Sequence, residues 1–222
     1  MKLTISFILF LLAISNSFSQ QQSYVYIDQD GLEINKEEFT NKLTNKDSMF
    51  TNWHSIGKNG YCYASLKKNL YLTGIYDYNE IKLHLKNSGI TIEKDAILLL
   101  QYKFKDDLCT NYWDNNWKHK EIIELKKHTT SIQKKLKKDN IYYIIFFEDG
   151  IELHNSPKNK NEYYFSDSKN YFRKLLFTSP TLCGSFALIK PNGETLIRNG
   201  EYRADFMAQH LKPVNWEIFF KN

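Results

Sequence analysis

Cysteine is scarce here, with three in 222 residues. That is too few for a fold stapled together by disulfides. Four prolines and nine glycines exclude a collagenous or low-complexity chain. Neither sign of charge dominates. Thirty Lys and Arg against 25 Asp and Glu leave a formal net charge of +5, too small an excess to argue for a nucleic-acid partner by itself. There is no G-x-S-x-G elbow and no glycine-rich run to cradle a phosphate. His54, His84, His119, His128, His154 and His210 have no H-x-x-x-H or H-E-x-x-H spacing, so no metal site is expected. Asp28 and Asp30 form a D-x-D without the later ligands of a calcium loop and read as a turn. No cofactor is expected. Apolar side chains, by contrast, are plentiful. Hydrophobic residues make up 42% and aromatics 15%, enough to build a core and to exclude a disordered chain.

The one run suited to a membrane lies at the start, in MKLTISFILFLLAISNSFSQ. Lys2 precedes an apolar stretch from Ile5 to Ile14, and Ser17 and Ser19 follow it. The apolar core is about ten residues, whereas a span needs about 20. The pattern is that of a secretory signal peptide over residues 1–19, cut after Ser19 or Gln20. No cysteine follows the cut, so a lipid anchor there is not expected. Loss of Lys2 takes the charge from +5 to +4. Export to the periplasm or the medium would place Cys62, Cys109 and Cys183 in an oxidising compartment. Three thiols then allow one pair and one left over. Cys62, in the alternating segment YCYAS, reads as buried and inert.

Two regions follow. Residues 20–92 read as a small α+β unit. YVYIDQDGLEI is a short hairpin turning at Asp30-Gly31. Asn35 with Glu38 is a capping box for a helix through Leu43. Residues 44–60 look turn-like, and 60–66 and 69–76 look like strands. Asp77 starts a helix with Ile81 and Leu85 inside and Gly89 at its close. Residues 93–222 are more regular. AILLLQYKF at 96–104 and IYYIIFF at 141–147 read as strands buried on both faces. Between them a helix over 118–138 carries the stripe Ile122, Leu125, Thr129, Ile132, Leu136. Residues 151–166 are a hairpin-like or irregular connection, and Ser168 begins a helix with Phe172 and Leu176. Strands at 184–190 and 194–198 flank the turn Pro191-Asn192-Gly193. A last helix runs from Glu201 to Leu211. The two strand–helix–strand connections predict parallel neighbours with right-handed crossovers. The fold expected is α/β, a four-stranded mixed core sheet with helices on both faces.

From residue 96 the order strand, helix, strand, helix, strand, strand, helix resembles the thioredoxin-like core, over about residues 96–212. ALIKPNGETLI is similar to the strand, Pro-x-Gly turn, strand ending of such proteins. The resemblance implies an active-site loop after the first core strand, where Cys109 lies. It also implies a proline, usually cis, before the third, where Ser179-Pro180-Thr181 lies. The family's Cys-x-x-Cys is absent: the stretch reads Cys109-Thr110-Asn111-Tyr112. On that alignment Cys183 is the one thiol able to meet Cys109. The two then form a structural disulfide, with Cys62 free and buried, or a redox couple, or else the thiols stay unpaired or pair differently.

Two features point to partners. Eight lysines lie between Lys118 and Lys138. They are a solvated helix face or a contact for an acidic surface. Tyr112, Trp113 and Trp117 place large rings in a polar loop, where they line a binding surface or pack over the sheet edge. The reading reached is an exported, non-catalytic binding or structural protein on a thioredoxin-like scaffold. The alternatives are a thiol–disulfide or peroxide reductase using Cys109, and a secreted inhibitor or envelope partner-binding protein.

Overall fold

The computed structural model of the chain describes residues 23–109, 114–155 and 161–220. The expected signal peptide, Tyr112 and Trp113 lie outside these residues. Two main sheets organise the rest. The smaller contains β1 (Tyr24–Ile27), β2 (Glu33–Ile34), β3 (Thr51–Ile56) and β4 (Cys62–Lys67) in the order β2-β1-β4-β3. The β1–β2 pair is the hairpin that Asp30-Gly31 forecasts. Asn35 caps α1 (Lys36–Thr44) by accepting from the Glu38 N–H at 2.9 Å. Phe39 of α1 closes over Ala64 and Leu66 as a small core of its own. β3 falls in the stretch expected to be turns. Its polar sequence hides a strand, because the pairing that makes it one is with β4, Thr51 opposite Lys67 through Ile56 opposite Cys62.

The larger sheet has six strands rather than the four expected. These are β5 (Tyr71–Ile75), β6 (Ile97–Lys103), β8 (Ile141–Glu148), β10 (Tyr164–Asp167), β11 (Ser185–Ile189) and β12 (Glu194–Asn199). Their order is β10-β8-β6-β11-β12-β5. The four inner strands are the expected ones; β10 and β5 extend the sheet at either edge. A separate two-stranded ladder joins β7 (Asn116–Trp117) to β9 (Glu152–Leu153). Although β5 follows β4 in sequence, it leaves the small sheet and pairs antiparallel with β12.

Helices cover both faces of the large sheet. On one face α3 (His119–Lys138), α5 (Ala204–Ala208) and α6 (Pro213–Trp216) bring Ile122, Leu136, Met207 and Trp216 against Leu99, Tyr143, Ile145 and Phe147. On the other, α2 (Tyr78–Asn87) and α4 (Tyr171–Leu175) bring Ile81, Leu85 and Phe172 against Leu98, Leu100, Tyr102 and Phe146. Successive residues of β6 and β8 serve opposite cores, which is why those strands are apolar throughout.

One expected pairing is reversed. β6, β8 and β10 are parallel, but β11 runs antiparallel to β6, Ser185 opposite Tyr102. The reason lies in β10. The connection after β8 returns across the sheet and then climbs again as β10. The chain therefore leaves β10 at the end where β6 also finishes. The five residues of α4 advance only about 7–8 Å, too little to recross, so β11 starts at that same end.

Candidate functional site

That reversal brings the cysteines together. Cys109 lies in the loop after β6, and Cys183 lies in the turn that enters the antiparallel β11. The two loops share one end of the sheet. Cys109 and Cys183 form a disulfide across 74 residues, with Cα atoms 5.0 Å apart. Cys62 is free and buried. Cys183 adopts φ +67° and Gly184 φ +89°. A Cβ on Gly184 would collide with the Tyr102 carbonyl oxygen, so this turn requires glycine to lie flat against β6.

Asp107 organises the bridge. Its Oδ1 accepts from the Cys109 N–H at 3.0 Å and from the Cys183 N–H at 3.2 Å. One carboxylate thus holds the backbones of both half-cystines. Burial pushes the Asp107 carboxyl up, and those N–H groups and Lys103 pull it back only in part. Lys103 at the end of β6 donates to the Cys183 carbonyl at 3.5 Å. Burial holds its ammonium below the ordinary lysine range, against the pull of Asp107 and Glu201. Glu201 Oε2 sits 4.0 Å from Cys183 Sγ. The charge beside the Cys183 sulfur is thus a carboxylate, which disfavours a thiolate there. Both cysteines are half-buried. The helix after this loop, α3, begins only at His119, beyond β7.

Pro180 serves in a different contact. The Lys67 ammonium of β4 donates to the Pro180 carbonyl at 2.6 Å and to Ser179 Oγ at 3.2 Å. The Leu182 N–H donates to the Asn52 carbonyl of β3 at 2.8 Å. No cis peptide occurs among the described residues, so the cis proline implied by the resemblance is not found. Behind the loop lies a buried polar seam. Thr181 Oγ1 donates to the Gly184 carbonyl at 3.0 Å and lies 2.8 Å from Ser185 Oγ. Ser185 Oγ donates to Asn199 Oδ1 at 2.7 Å. Asn199 Nδ2 donates to the Asn69 carbonyl, and Thr51 Oγ1 to Asn69 Oδ1. The seam ties β3 of the small sheet to β11 and β12 of the large one. Sequence reasoning missed it, because single Thr, Ser and Asn residues far apart carry no pattern.

The aromatic loop divides. Trp117 is 6% exposed and lies edge-on to Phe147 at 5.1 Å. It is part of the core rather than an anchor offered to a partner. The lysines of α3 do face water, with Lys126 turned aside to Glu162 at 2.8 Å. No cluster of three or more His, Cys, Asp or Glu suited to a metal occurs among the described residues. No helix among them is long and apolar enough to cross a membrane.

No family model matches the chain, and no curated protein matches it. Among solved structures it is similar to the exposed lipoprotein thioredoxin of Streptococcus pneumoniae, at 13% identity and a TM-score of 0.35, over 72% of this chain and 98% of that one. The thioredoxin-like resemblance is therefore weak. Strand order carries it here: β8-β6-β11-β12, with a hairpin for its last pair.

Proposed function

We propose that this is an exported thioredoxin-like scaffold that binds another protein and does not turn over disulfides. The observation that supports this reading most directly is Asp107 bonding to both half-cystines. A resting disulfide in an exchange enzyme must open so that one sulfur leaves as a stabilised thiolate. Here the Glu201 carboxylate lies 4.0 Å from Cys183 Sγ and would oppose a thiolate there, while Asp107 fixes both backbones in the positions that the bridge spans. The same arrangement suits a structural crosslink. Residues 1–19, read as a signal peptide, support export. The lysine face of α3 supports a contact with an acidic protein surface.

Purified protein with a thiol donor and a disulfide substrate is expected to reduce that substrate no faster than the donor alone. Cys109→Ser should leave that rate unchanged. Turnover well above the donor, lost in Cys109→Ser, overturns the proposal and favours the reductase.

A further inference from the structure

β5 is the outermost strand on its side of the large sheet, and its outer edge lacks the usual guards against pairing. Strand edges are normally protected by charge, proline or a bulge. Tyr71-Leu72-Thr73-Gly74-Ile75 has no charged residue and no proline. Its register with β12 is unbroken from Tyr71 to Ile75. The direction of its backbone groups follows from the two ends. The Asn199 N–H donates to the Leu70 carbonyl at 2.9 Å, and the Tyr76 N–H donates to the Gly193 carbonyl at 3.0 Å. Antiparallel alternation therefore turns Leu72 and Gly74 toward β12. It turns the N–H and C=O groups of Tyr71, Thr73 and Ile75 outward. Beside them Ile75 is 70% exposed and Leu72 39%.

We infer that this edge pairs antiparallel with the same strand of a second copy of the chain, across a two-fold axis at Thr73. Three features select that occupant. First, the outward groups match themselves. Thr73 faces Thr73 of the second copy and Tyr71 faces its Ile75, each as a hydrogen-bonded pair. Second, the side chains complement one another. Tyr71 covers the exposed Ile75 of the other copy. Leu72 falls opposite Gly74, beside which the Tyr76 ring lies close enough to meet any added Cβ. Third, the charges at the two ends are opposite. Lys68 precedes the strand, exposed and only 3.8 Å from an equally exposed Asp30. Asp77, exposed, follows it. Antiparallel pairing about Thr73 sets Asn69 opposite Asp77, so each copy's Lys68 arrives beside the other's Asp77. The product is one continuous sheet through both copies. It is independent of whether the disulfide is structural.

Sedimentation equilibrium of the protein without residues 1–19 tests this. The expected mass is twice that of one chain, falling toward one chain on dilution. Thr73→Pro removes an outward N–H that bonds nothing in β12, and Ile75→Lys places a charge on an exposed site. Each is expected to give monomer with an unchanged circular dichroism spectrum. Should Thr73→Pro disturb folding, Ile75→Lys still decides. As a positive readout, Thr73→Cys is expected to give a covalent dimer on oxidation, since Cα atoms in such a pair lie about 5.5 Å apart. Ile123→Cys, exposed on α3, which packs on β8 four strands away from β5, should not. Monomeric protein at every concentration, or a dimer indifferent to Ile75→Lys, overturns the inference.

Discussion

Asp107 illustrates how much one side chain can decide. Its carboxylate gains two N–H donors and loses water, and burial is the larger effect. A carboxyl raised above its unfolded pKa costs stability above the folded pKa. That cost disappears as pH falls to below the unfolded value. Asp107→Asn keeps an oxygen for both cysteine N–H groups and carries no charge. It is expected to raise the melting temperature at neutral pH, with the gain vanishing below about pH 4. Melting curves of both proteins across that range check it. A gap of the same size at both ends would exclude Asp107 as its source.

At the scale of elements, α4 depends on a residue outside it. Sequence reading starts this helix at Ser168. In the structure Lys169 and Asn170 are left-handed, and the fully buried Asp167 does the capping. It accepts from the Phe172 N–H at 3.1 Å, the Arg173 N–H at 2.9 Å and the Tyr102 hydroxyl at 2.9 Å. Helix start, edge strand β10 and central strand β6 thus meet on one carboxylate. Asp167→Ala leaves three donors without an acceptor and is expected to cost about 2–4 kcal/mol. A urea midpoint shift worth less than about 1 kcal/mol would mean that water replaces the carboxylate. Elsewhere the caps are local. Asp77 accepts from Asn79 and Glu80 as its sequence suggests. Gly89 follows α2 with the Ile90 N–H returning to the Leu85 carbonyl at 2.9 Å.

For the whole molecule, the disulfide closes a long loop between neighbouring strand ends. Closure over 74 residues is worth at most about 4 kcal/mol in a chain-entropy account. The Cys109→Ser/Cys183→Ser protein is expected to keep its secondary structure and lose up to that amount in denaturant. Equal stability of the two proteins would show that the bridge contributes nothing to the fold. The polar seam from Thr181 to Thr51 and the Lys67–Pro180 contact hold the two sheets together without it, so folding should survive.

Locally encoded features were legible in the sequence. Apolar period and cap chemistry act within a few residues, so β6, β8, α2 and α3 and the caps at Asn35 and Asp77 could be read directly. The pairing Cys109–Cys183 came from resemblance, and the structure forms it by a different route. The expected parallel third strand would have put the two loops at opposite ends; antiparallel β11 puts them together. Strand direction and sheet membership depend on partners far away in the chain. That is why β3 stayed hidden, β5 changed sheets and the sheet grew from four strands to six. Burial is equally non-local. Trp117 looks in sequence like a ring in a polar loop, and only packing against Phe147 places it in the core. Sequence determined which segments form strands and helices, because those preferences are set by neighbours along the chain. Tertiary structure decided which edge stays open, which carboxylate holds the cysteines and how the two sheets join, because those depend on groups that meet only once the chain has folded.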